Sequence, residues 1–140
     1  AYHAAQIKGW GEWVPVVWPH DGLAQDRQSG ERLADLYRKH GLNMHAERAT
    51  HRDGSNGVEA GIMDMLERMQ TGRFKVFSTV GEFFEEMRLY HRKDGKLVKE
   101  RDDLISAVRY AVMMLRYAAT EPVAFEFGNT GTGIGDWMGV

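Results

Sequence analysis

Apolar residues recur along this chain with a period near 3.6 in some stretches and as short continuous runs in others. The alternation between the two predicts its elements. Leu33, Leu36, Tyr37 and His40 fall at i, i+3, i+4 and i+7, the spacing that gathers side chains on one face of a helix. A helix is therefore expected over about residues 30–40, with Ser29 as its N-cap and Gly41 just past its end. Ile62, Met65, Leu66 and Met69 repeat the spacing. Asn56, with Glu59 three residues on, gives a capping-box pattern at that helix's start, and Gly72 closes it. Val80, Phe83, Phe84 and Met87 mark another helix, "AYHAAQIKG" a first one without an N-cap, and "DDLISAVRYAVMMLRYA" the longest. Between these lie three expected strands, "EWVPVVWP", "LNMHAERAT" and "RFKVFS". The first lacks strict alternation, as suits a strand covered on both faces, and Pro15 and Pro19 stand near its ends, where a strand tolerates proline. "RKDGKLVKE" reads as a short hairpin or extended loop turning at Asp94-Gly95. Helices alternating with strands give an α/β class, with parallel strands covered by helices as the natural solution. Ligand sites in such sheets lie beyond the carboxyl ends of the strands, which is where Asp21 falls.

Length and composition narrow the class. A chain of 140 residues, 43% apolar, is expected to form one domain with a sizeable core. The absence of cysteine excludes disulfides and cysteine-ligated zinc. No apolar run approaches the roughly 20 residues of a membrane span, and residues 1–13 lack the apolar core of a signal peptide, so a cytoplasmic protein is expected. Residues 120–140 are set apart by five glycines among the last thirteen positions and are expected to form a flexible tail behind a domain of residues 1–119. Because the sequence opens with Ala1 in what reads as mid-helix, it is expected to be a piece of something longer.

Charge is unevenly placed. Residues 88–101 hold six basic side chains against Asp94 and Glu100, a local +4 in a chain of net charge −2. Such a patch on an acidic body can track a phosphate backbone, or it can be a solvated hairpin. Two acidic features frame the candidate chemistry. Asp21 ends an apolar run, and Asp102 and Asp103 open the longest helix. Carboxylates that converge repel each other and call for a cation, and hard oxygen donors favour Mg²⁺ or Mn²⁺. Two such ions could bind a phosphodiester and activate water. The plainer alternative is also open. Asp is a favoured residue at a helix start, and Asp-Gly after a strand is an ordinary turn. An α/β phosphohydrolase using Asp21 as nucleophile is a further option. The six histidines form no His-x-x-x-His pair, so a histidine zinc site is not expected. The terminal "GNTGTGIG" lacks the Lys-Ser/Thr ending of a phosphate loop.

Three blocks together, "VPVVWPHDG", "GIMDMLERMQTGRFKVF" and "FFEEMRLYHRKDGKLVKERDDLISAVRYAVMMLRYA", resemble the nuclease domain of tailed-phage terminase large subunits over about residues 1–119. The most specific feature is a Tyr, a basic spacer, an Asp and then Ala-x-Arg-Tyr-Ala on a helix. The resemblance implies an RNase H-like (resolvase/integrase-type) fold and a two-metal DNA endonuclease using Mg²⁺ or Mn²⁺, which cuts concatemeric DNA during genome packaging in the host cytoplasm. It implies double-stranded DNA, the portal protein and the small terminase subunit as partners. Asp21 matches the family's second catalytic acid and Asp102 the third, with Asp103 able to substitute or assist. Ser106 stands where many relatives carry another acid. Arg92, Lys93, Lys96, Lys99 and Arg101 are the residues expected to contact DNA. The strands that carry the family's first acid have no counterpart in this sequence. The alternative of a non-catalytic DNA- or portal-docking fragment therefore stays open.

Overall fold

The structure, a computed structural model, describes residues 2–98 and 100–122. Its helices are α1 (Tyr2–Lys8), α2 (Leu33–Lys39), α3 (Val58–Gln70), α4 (Gly81–Leu89) and α5 (Asp103–Met113). Short 3-10 turns occupy His20–Leu23 and Leu115–Tyr117, and β1 (His91–Lys93) pairs antiparallel with β2 (Lys96–Val98). The tail expected over residues 120–140 lies, from residue 123 on, outside the described residues.

The core forms where α3 and α4 pack on α5. Phe83, Met65 and Ile105, one from each helix, are its most completely buried large side chains. Phe74 and Phe84 meet Phe83 edge-on, with centroids 6.3 and 5.7 Å away, the geometry aromatic quadrupoles prefer. A second cluster, Ala49, Met113 and Met114 with Val17 and Tyr110 against it, joins the far end of α5 to the loops. α3 packs tightly on α5 at Gly61, where a Cβ would lie 2.7 Å from Arg109 Cγ. Only glycine admits that approach.

The three expected strands do not form. Residues 13–18 run beside residues 43–49 and exchange bonds on one edge only: Val16 N–H to Asn43 O (2.8 Å), His45 N–H to Val16 O (2.9 Å) and Ala49 N–H to Trp18 O (2.7 Å). The result is one isolated parallel bridge, Val16 to Met44. The second segment bends away at once, with the His45 ring and the Glu47 carbonyl closing a local turn, so no ladder develops. Around "RFKVFS", the N–H groups of Arg73 and Phe74 both return to Arg68 O at 2.8 and 3.0 Å. That segment therefore wraps the end of α3 instead of pairing. The hairpin does form. Asp94 and Gly95 both take left-handed backbone (φ 50° and 74°), which a two-residue turn of this hand requires.

The helix caps also differ from expectation. Ser29 caps no helix. Its N–H and hydroxyl both donate to Asp26, and the resulting hydrogen bonds, the Ser29 backbone first, hold the Asp26 carboxyl below its usual range. Arg32 and Gly57 take the N-cap positions of α2 and α3 without side-chain caps. α5 is capped from outside: Glu86 of α4 accepts the Ile105 N–H at 2.9 Å. This satisfies one of the orphan donors of the first turn and places a negative charge at the positive end of the helix. Glu86→Ala should lower stability by about 1 kcal/mol, read as a shift in the urea midpoint at unchanged m-value. Glu85→Ala on the exposed side of α4 should leave the midpoint in place.

Candidate active site

Asp21 is held by its neighbours in the 3-10 turn. Gly22 N–H bonds back to Pro19 O at 3.0 Å and Ala24 N–H to Asp21 O at 2.9 Å. Beneath the turn, Trp18 is buried and its Nε1–H donates to His45 O at 2.8 Å. Gly22 rests directly on that indole, so closely that a Cβ would lie 2.5 Å from Trp18 Cε3. The turn is thereby pressed onto a ring that is itself anchored to the neighbouring segment. The Asp21 side chain is left exposed.

Facing it is α5. Asp103, Ser106, Ala107 and Tyr110 follow at i, i+3, i+4 and i+7, one helix face. With Val17, Pro19, Asp21 and Arg109 they line a cleft of about 500 Å³. The structure therefore brings Asp21 and Asp103 to one cleft. Asp102 is half-buried to the side, where its Oδ2 accepts a hydrogen bond from Ser106 Oγ at 3.0 Å. It meets the cleft through that hydroxyl and is not among the residues lining it. Its charge is felt at Tyr90: burial pushes the phenol up, Asp102 adds to the rise, and Arg109 opposes it.

Among the described residues, no group of three or more His, Asp or Glu side chains is close enough together to hold a metal ion. The cleft offers two exposed carboxylates. That donor set suits Mg²⁺ or Mn²⁺, which bind through one or two carboxylates with retained water and substrate phosphate completing the shell.

The basic segment leads straight into this site. Lys93 and Lys96 are exposed and face each other across the hairpin register. Arg92 sits in β1 opposite Leu97, Arg101 is exposed with left-handed backbone (φ 50°), and Lys99 lies outside the described residues. Arg109, present in the sequence reading only as the arginine of the Ala-x-Arg-Tyr-Ala motif and given no site role there, also lines the cleft. Its signal was available, a lone cation between Val108 and Tyr110 in an otherwise apolar stretch of helix.

Among the described residues no helix is long and apolar enough to cross a membrane. The terminase RNaseH-like domain family matches residues 1–115. The terminase large subunit of Salmonella phage P22 is 48% identical over 113 residues, which are 80% of this chain and 23% of that protein. That of Enterobacteria phage LP7 is 48% identical over 109 residues, 77% of this chain and 23% of the relative. The chain thus spans about a quarter of the length of these relatives. A solved structure of the P22 large terminase nuclease domain superposes with a TM-score of 0.68 at 47% identity, covering 82% of this chain and 62% of that one. With a family match over most of its length and a nuclease-domain structure that follows its course, this chain belongs to the terminase RNaseH-like domain family.

Proposed function

We propose that this chain contributes two metal-binding acids and a DNA-contacting hairpin to an endonuclease that cuts concatemeric DNA during phage genome packaging. The observation that carries the reading is the cleft shared by Asp21 and Asp103, with a basic hairpin immediately upstream of α5. Asp21 and Asp103 would hold Mg²⁺ or Mn²⁺. Bound there, the ions would offset phosphate charge and make water a better nucleophile. Asp102 acts one step back. By accepting a hydrogen bond from the Ser106 hydroxyl it orients a polar group that borders the cleft, as a carboxylate behind the metal ligands does. Lys93, Lys96 and Arg101, with Arg92 and Lys99, hold the backbone of double-stranded DNA. Such phosphate contacts position the duplex without reading sequence. The same reading assigns the portal protein and small terminase subunit as partners and the host cytoplasm as the place of action. A docking fragment without catalysis is the competing reading, and it predicts DNA binding with no role for metal.

Titration of the chain with Mn²⁺ separates the acids. Asp21→Asn and Asp103→Asn should each abolish the weak binding expected of a two-carboxylate site, while Asp102→Asn should weaken it by on the order of tenfold. Equal loss on all three substitutions would remove the division between ligand and orienting acid. Binding indifferent to all of them would leave the docking reading. Cutting of supercoiled plasmid with Mn²⁺ should be feeble for the chain alone, and strong for a longer polypeptide carrying it at the position it holds in the relatives. Robust cutting by the chain alone would show that two acids suffice.

Replacing Lys93, Lys96 and Lys99 together by Ala should weaken duplex binding alike for all sequences. It should flatten the slope of log affinity against log salt by about 0.9 for each lysine that reaches a phosphate. Identical slopes for parent and triple variant would retire the hairpin from DNA contact.

A further inference from the structure

Arg109 is 4% exposed, an unusual state for a guanidinium. Its stem lies against Gly61 of α3, and its guanidinium carbon stands 4.4 Å from the centroid of the Tyr110 ring. Its Nη1 is buried and has no hydrogen-bond partner. A buried N–H of a charged group left without an acceptor costs more than a neutral one, and each such group in a native fold calls for an explanation. Arg109 and Tyr110 both line the cleft that holds Asp21 and Asp103. An arginine that borders a pair of carboxylates and keeps one buried N–H without an acceptor in the fold is matched to an acceptor that arrives with the ligand. The planar fork of a guanidinium fits the oxygens of a phosphate.

We propose that Arg109 is a phosphate-binding residue of the cleft, its unpartnered Nη1 donating to a non-bridging oxygen of the DNA phosphate seated between Asp21 and α5. This rests on the cleft being the phosphodiester site. The contact requires the buried guanidinium tip to turn toward the cleft on loading, a side-chain change common at binding surfaces, while the stem stays over Gly61. The arrangement divides the work. The carboxylates hold metal, while Arg109 holds phosphate whether or not metal is present. It also explains the glycine at position 61, since any side chain there would fill the space the arginine stem occupies.

The test uses the 140-residue chain, a fluorescent 20-base-pair duplex and Ca²⁺ in place of Mn²⁺. Arg109→Gln should weaken duplex binding roughly tenfold and flatten the salt slope by about 0.9. Mn²⁺ affinity should be unchanged, and Arg109→Lys should recover part of the loss. A folded Arg109→Gln with parental affinity and slope overturns the proposal. Should that variant fail to fold, the unsubstituted chain gives the answer through the side-chain NMR signals of Arg109. These should shift as duplex is added and stay in place with inorganic phosphate at equal concentration. No shift at saturating duplex, or the same shift with inorganic phosphate alone, overturns it. A chain that binds no Mn²⁺ yet shows the duplex-dependent shift would defeat the metal reading of the cleft and leave the arginine contact standing.

Discussion

Everything at the site depends on the rotation of α5 about its own axis. Ile105, Arg109 and Met113 are buried at i, i+4 and i+8, a stripe that faces α3 and α4. Asp103, Ser106, Ala107 and Tyr110 then point toward Asp21 because they lie about a quarter to a third of a turn away around the helix. The setting is locked at three points. Ile105 is fully buried against the core, the Arg109 stem fits only over Gly61, and the Glu86 carboxylate reaches from α4 to the Ile105 N–H. A rotation by one residue, about 100°, would bring Asp102 to the cleft and carry Asp103 past it to the outer side of the helix. Packing forces on the hidden side of the helix thus decide which acid meets the cleft.

The opposite wall is built on different physics. Residues 13–18 have a single bonded edge, so little ladder holds them. The work is done by Trp18, which buries a large apolar ring and still satisfies its N–H on His45 O. A buried indole contributes on the order of 3 kcal/mol or more, enough to fix a short turn without a sheet. At the far end of the same segment, Val14, Pro15 and Val17 line an apolar recess of about 240 Å³ with Met114, Leu115 and Tyr117. The two walls of the acidic cleft are therefore also joined behind it.

Helices were legible in the sequence because their signal is local. The 3.6-residue spacing around Met65 and Phe83, the glycines at positions 41 and 72 and the Asp94-Gly95 turn each act within a few residues. Strands were not, because apolar continuity in "EWVPVVWP" and "RFKVFS" reports burial and is silent about which edge finds a partner. The helix caps failed for a related reason. Asp26 competed for Ser29 locally, and the cap of α5 came from Glu86, nineteen residues from its partner in sequence. At the site, Asp21 and the Asp102-Asp103 doublet stood out as candidates. Their division between cleft and flank depends on the rotation of α5, which no local pattern encodes. Arg109 carried no site role in the sequence, because a single cation in an apolar helix gives no sign of a site until its burial is known.

The doublet itself then has a physical sense. Adjacent residues on a helix diverge by about 100°, so two neighbouring acids cannot line one cleft equally. Placing both there would also set like charges side by side at a cost. With Asp103 exposed in the cleft and Asp102 turned aside to Ser106, one charge is available to a ligand and the other is absorbed by a hydroxyl donor. Asp21 and Asp103 both remain open to water, and the cleft between them, at about 500 Å³, has room for a hydration shell. Mg²⁺ gives up its waters reluctantly and needs few protein ligands when substrate oxygens complete its shell. A wide wet cleft with two carboxylates and a buried arginine at its border is better matched to such an ion arriving with a phosphate than to one caged by protein alone.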